Sequence, residues 1–182
     1  MGMPPFISRL FRRGTHAAPT SSAATPRLLP HDEPMMRRAL QLAREAAAIN
    51  EVPVGAVVYE SASGRVLGEG FNRREIDHDP AAHAELLAIR AAAAAIGDWR
   101  LSDCTLVVTL EPCTMCAGLI VNARVGRLVF GCRDPKAGAT GSLLNLTTDP
   151  RLNHRVEPVG GVLEAECSVI LKDFFRTLRR QK

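Results

Sequence analysis

CTLVVTLEPCTMCAGLIVNARVGRLVFGCR, residues 104–133, decides how the rest of the chain is read. CTLVVTL is a short apolar run, and such a run reads as a strand buried on both faces. CTMCAGLIVNARV follows as a helix, and RLVFGCR returns as another buried strand. Working outward towards the N-terminus, AAHAELLAIRAAAAAIG is a helix entered through Pro80 and closed by Gly97. Before it, VPVGAVVYE and RVLGEGFN flank the four-residue turn SASG and read as a β-hairpin. MMRRALQLAREAAAIN carries apolar residues at helical spacing, with Asp32 as its cap and Pro34 in its first turn. Towards the C-terminus, NHRVEPVGGVL offers a further strand and LEAECSVILKDFFRTLRRQK a final helix with a basic end. This order points to one sheet covered by helices, a three-layer α/β/α sandwich.

The 182 residues suit one domain with a real core, and 46% hydrophobic with 23% charged residues is ordinary for a globular protein. Five scattered cysteines, an odd number, favour a reducing compartment over a disulfide framework. No apolar stretch of about 18 residues exists to span a membrane. The net charge of +4 comes from Arg9, Arg12, Arg13 and Arg27 in an acid-free segment. The remainder is neutral, so any nucleic-acid footprint has to come from local clusters. Residues 1–30, rich in Ala, Ser, Pro and Arg, read as a disordered basic tail ahead of a domain over 31–182. The tail fits a transit peptide, a dispensable extension, or a start placed ahead of Met35 and Met36. Phe6 excludes a myristoylation signal.

The chemistry lies in two short motifs, HAE at 83–85 and PCTMC at 112–116. A structural metal, a redox pair and a catalytic metal centre could each use such side chains. On a helix, positions two apart lie about 200° apart around the axis, so His83 and Glu85 converge only near a helix end. Pro80 places them there. Cys113 and Cys116, three apart, share a face at the start of their own helix. The positive end of a helix favours the thiolate that metals bind. One imidazole and two thiolates leave a tetrahedral zinc with an open position, and Glu85 beside it can move protons. A redox CxxC needs neither His83 nor Glu85. A structural site could recruit Cys104 or Cys132, but then the H-x-E spacing has no purpose. Cys104, Cys132 and Cys167 sit in apolar context and read as core.

HAE followed by PCTMC resembles the H-x-E…P-C-x-x-C signature of zinc-dependent nucleobase deaminases. EVPVGAVV, GEGFNRREIDHDPAAHAE, TLEPCTMCAG, ARVGRLVFGCRDPKAGATGSL, NHRVEPVGGVL and DFFRTLRR further resemble the bacterial tRNA-specific adenosine deaminases, over roughly residues 35 to 180. That resemblance implies a cytidine deaminase-like fold with a central mixed five-stranded sheet. It implies hydrolysis of adenosine to inosine at the wobble position of a tRNA anticodon, with the arginine tRNA bearing ACG as substrate. His83, Cys113 and Cys116 would hold one Zn2+ per subunit, and Glu85 would shuttle protons to the ring nitrogen and the leaving ammonia. Asn72 matches the asparagine that hydrogen-bonds the target base. Arg133, Asp134, Lys136, Phe174 and Arg176 match the RNA face, although one of Phe174 and Phe175 suits core packing.

Two positions depart from the family pattern: SASG is slightly long for the hairpin, and Cys132 stands where a small residue is expected. The resemblance also implies a homodimer, a cytoplasmic location (organellar if the tail is a transit peptide) and no membrane contact. A free-base deaminase such as guanine deaminase would share HAE and PCxxC without needing DFFRTLRR or the RDPKAG loop. A non-catalytic RNA-binding module would have no need of Glu85.

Overall fold

The computed structural model describes residues 27–180, so most of the expected disordered tail lies outside the described residues. The elements run α1 (Asp32–Ala48), β1 (Gly55–Glu60), β2 (Val66–Phe71), α2 (Ala84–Ile96), β3 (Cys104–Leu110), α3 (Thr114–Asn122), β4 (Arg127–Cys132), β5 (Pro158–Val159) and α4 (Glu164–Arg180). The strands form one sheet in the order β2-β1-β3-β4-β5. β1 pairs antiparallel with β2 and β3, while β3–β4 and β4–β5 are parallel. The mixed five-stranded sheet of the expected sandwich is therefore present.

Strand alternation divides the core into two layers, because successive side chains leave opposite faces. Ala56, Val58, Leu106, Val108, Leu128 and Phe130 meet Ala84, Ala88 and Ile89 of α2 and Ile120 of α3. Val57, Tyr59, Val107 and Val129 meet Met36 and Leu40 of α1 and Cys167 of α4. Two covered faces explain why β3 and β4 read as unbroken apolar runs. Cys104, Cys132 and Cys167 are buried, as their apolar context indicates.

Three local readings change. Asp32 is the first residue of α1 rather than its cap, a place taken by His31. Its carboxylate turns back, accepting from Leu29 N–H at 2.6 Å and Tyr59 Oη–H at 2.9 Å and pairing with Arg127. The hairpin connection is one residue longer than SASG, running over 61–65, with Gly64 at φ 75°. NHRVEPVGGVL contributes only Pro158–Val159 as strand.

Glycine sets how closely α2 lies on the sheet. A Cβ on Gly70 would come within 2.5 Å of the Ala84 carbonyl oxygen, and one on Gly68 within 2.3 Å of the Ala88 oxygen. Bare backbone on β2 therefore lets the first turns of α2, which carry HAE, rest against the strand.

Candidate active site

The ligand-type residues sit where extended chain becomes helix. His83 is the N-cap of α2, with φ −79° and ψ 151°, and Cys113 is the N-cap of α3, with φ −72° and ψ 177°. Cys116 lies one turn into α3 and is buried, while His83 and Cys113 are half-buried. A turn from Asp79 to Ala82 delivers His83: Ala81 N–H donates to Asp79 Oδ1 at 2.8 Å, and Ala82 N–H to the Asp79 carbonyl at 3.1 Å. His83 therefore stands just outside the helix and Glu85 just inside it, which resolves how two residues on opposed helical azimuths reach one place.

His83 Nδ1 lies 3.7 Å from Cys113 Sγ and 3.6 Å from Cys116 Sγ. Donor atoms of the three residues all fall within 4.8 Å of one another. Zinc bonds of 2.0–2.1 Å to nitrogen and 2.3 Å to sulfur at a tetrahedral angle imply an N···S separation of about 3.6 Å. The donor set therefore fits a single ion. Among the described residues no other His, Cys or carboxylate joins this group. Cys132 instead directs its thiol to the Thr109 carbonyl, and Cys167 to Met36.

Electrostatics distinguish the two thiols. The hydrogen bond with Cys116 is the main reason that Cys113 falls to about 3, with burial opposing and His83 assisting. Cys116 moves upward through that same hydrogen bond, its burial and the charge of Glu85. His83 rises chiefly through its hydrogen bond with Cys113. Glu85 is buried at 4% exposure, and desolvation pushes its carboxyl up despite the nearby imidazole.

These groups open onto a cavity of about 170 Å³ whose lining includes Asn72, Arg74, His83, Glu85, Cys113 and Asp134. Asn72 follows β2, and its Nδ2–H donates to Glu51 Oε2 at 2.8 Å. Glu51 is fully buried and also accepts from Ile76 N–H at 2.8 Å, fixing the Asn72 amide at the pocket wall. Glu111, 2% exposed, lines the cavity too and accepts from the loop after β4. Burial pushes its carboxyl up, but hydrogen bonds from Ser142, Asp134 and Thr140 outweigh this and hold it low. The sequence reading singled out neither Glu51 nor Glu111. Their available signal was a lone carboxylate flanking an apolar strand, at EVPVGAVVY and TLVVTLEP.

Of the expected RNA-facing residues, Asp134 alone reaches this cavity. Arg133 and Lys136 are exposed on the same loop, where Lys136 N–H donates to Asp134 Oδ1 at 2.9 Å. Phe174 and Arg176 lie on α4, outside the cavity lining. Phe174 is half-buried and Phe175 exposed, their rings edge to face at 5.5 Å, so neither is a buried core residue. Arg176 pairs with Asp173 at 2.8 Å on the surface.

Residues 31–179 match the model of the MafB19-like deaminase family. A tRNA-specific adenosine deaminase of Haemophilus influenzae is 50% identical over 151 residues, covering 83% of this chain and 87% of the relative. One from Bacillus subtilis is 48% identical over 151 residues, covering 83% and 92%. A solved structure from work on A-to-I editing by tRNA:A34 deaminases at the wobble position of transfer RNA superposes with a TM-score of 0.72 at 43% identity. It covers 75% of this chain and 98% of the other.

Proposed function

The chain belongs to the MafB19-like deaminases and to the tRNA-specific adenosine deaminases; from that premise we propose that it converts adenosine to inosine at the wobble position of a tRNA anticodon, with the ACG arginine tRNA as substrate. The observation that carries this reading is the meeting of His83, Cys113 and Glu85 on one cavity with Asn72, Cys116 lying buried behind.

His83, Cys113 and Cys116 would hold one zinc per chain. Bound there, the ion would supply the Lewis acidity that makes water a nucleophile near neutral pH. Glu85 takes one proton from the attacking water and delivers it to the adenine ring nitrogen; it then takes the proton of the hydroxyl added at carbon 6 and passes it to the amino group, which leaves as ammonia while the carbonyl forms. Asn72, its amide held by Glu51, hydrogen-bonds the target base. A loop nucleotide leaves its stack at small cost and can enter such a pocket. Arg133 and Lys136 contact phosphates, Asp134 faces the nucleotide at the cavity rim, and Phe174 with Arg176 meets flanking RNA.

The catalytic domain spans 31–182, and the N-terminal segment is dispensable for catalysis. The enzyme acts as a homodimer, a reading supported by exposed Met115, Leu143 and Leu144 on elements that build the pocket. It works in the cytoplasm, in keeping with bacterial relatives named for tRNA. No helix among the described residues is long and apolar enough to cross a membrane.

The test is inosine content at the wobble position of ACG arginine tRNA after incubation with zinc-loaded protein, beside free guanine and cytosine. Inosine is expected from the tRNA alone. Turnover of a free base without inosine in tRNA would reassign the substrate.

A further inference from the structure

Between β4 and β5 the chain makes a long excursion, and its first part, residues 133–142, closes around a single side chain from another element. Glu111 comes from the junction of β3 and α3, and its own N–H donates to the Cys132 carbonyl at 2.9 Å. Glu111 Oε1 accepts from Thr140 N–H at 3.2 Å, Thr140 Oγ1–H at 3.4 Å and Ser142 N–H at 2.9 Å. Glu111 Oε2 accepts from Asp134 N–H at 3.1 Å and from the Ser142 hydroxyl. All five donors are neutral and all lie on this loop. Gly138 makes the approach possible, since a Cβ there would come within 2.5 Å of the carboxylate carbon. Ala139 N–H donates to the Pro112 carbonyl at 2.8 Å, joining the same loop to the residue before Cys113.

The loop matters because it forms a wall of the cavity. Asp134 and Ala137 line it together with Glu111, and exposed Arg133 and Lys136 are carried beside them. None of the loop residues sits in the His83–Cys113–Cys116 group. Resting on the tRNA reading above, we propose that Glu111 is a positioning residue for substrate binding, holding the 133–142 loop as the cavity wall against which the nucleotide seats. It touches the substrate's surroundings, not the proton path, so its loss acts on KM more than on kcat.

The chemistry of the contact makes a sharp variant available. Glu111→Gln keeps shape but turns one acceptor into a donor. Hydroxyls of Thr140 and Ser142 can rotate to accept, whereas backbone N–H groups cannot. With the new amide on the Oε2 side, Asp134 N–H loses its acceptor; on the other side, Thr140 and Ser142 N–H both do. The first arrangement strands fewer groups, so loosening is expected to centre on Asp134.

Zinc-loaded wild type, Glu111→Gln and Ser142→Ala would be compared on ACG arginine tRNA, with metal content and amide exchange over 133–142 measured alongside. Zinc is expected to stay at one per chain, exchange to quicken at Asp134, KM to rise roughly tenfold, and kcat to change by less than about threefold. Ser142→Ala should move the same way by less. Quicker exchange with KM unchanged would show a merely structural role and overturn the proposal. So would zinc loss, or a fall in kcat at constant KM. If Glu111→Gln fails to fold, Ser142→Ala decides by the same criteria. A wild type that makes no inosine in tRNA sinks the substrate reading and this proposal with it; an active wild type beside variants of normal KM sinks this one alone.

Discussion

His83 and Cys113 each occupy the last extended position before a helix, which gives two ligand-type side chains the same relation to two helix starts. The side chain at such a position projects past the helix end instead of along its flank, so two caps can face each other across a pocket. Glu85, two residues on, is inside its helix and buried. Glu85→Gln is expected to retain zinc and bind tRNA, yet deaminate at under about a hundredth of the normal rate, measured by single-turnover inosine formation. Cys113→Ala is expected to lose zinc, read by metal analysis of the purified protein. The ligand-type residues were legible because HAE and PCTMC are local in sequence and their chemistry is unusual. Glu51 and Glu111 were not, because what sets them apart is distant. Asn72 is 21 positions from Glu51, and the donors to Glu111 lie 23 to 31 positions away.

At the scale of elements, periodicity and punctuation placed every helix and all the longer strands. Gly97 ends α2 in the left-handed conformation, at φ 71°, as its place after an alanine run suggests. β5 was only partly legible because two residues are too few for a pattern, and parallel pairing with β4 defines it. The fit of α2 against β2 could not be read from composition, since glycine in a strand ordinarily signals weakness. Gly70→Ala tests that fit. Its Cβ would meet the Ala84 oxygen and, at 2.8 Å, the Leu87 Cβ, so α2 has to shift outward at the end that carries His83. A loss of about 1–3 kcal/mol is expected in denaturant unfolding, with weakened zinc retention in the same variant.

Across the whole molecule, Asp32 and Arg127 brace the start of α1 against the start of β4. Oδ2 of Asp32 accepts from Arg127 at 2.7 Å, and the same guanidinium donates to the Arg27 carbonyl at 3.0 Å. Burial pushes the Asp32 carboxyl up, but Arg127, Leu29 N–H and the Tyr59 hydroxyl outweigh it and hold the carboxyl below its ordinary value of 3.8. A depressed folded value means the contribution is complete above that ordinary value and is lost as pH falls through the folded one. Asp32→Asn is therefore expected to cost about 3 kcal/mol at neutral pH, by leaving Arg127 unpaired. The gap from wild type should narrow below about pH 4 in acid titrations of unfolding.

The strand order has a further consequence at this scale. One margin of the sheet is β5, two residues long and opening on a proline, which offers an incoming chain almost no ladder to extend. The other is β2, six residues long, and its pairing with β1 shifts register between Val58 and Tyr59. Such an irregularity twists a strand out of the flat geometry that cross-β stacking requires. Among the described residues, templated self-association through the sheet is thereby steered to a single flank, and the hairpin that forms it is where an aggregation-resistant variant would be sought.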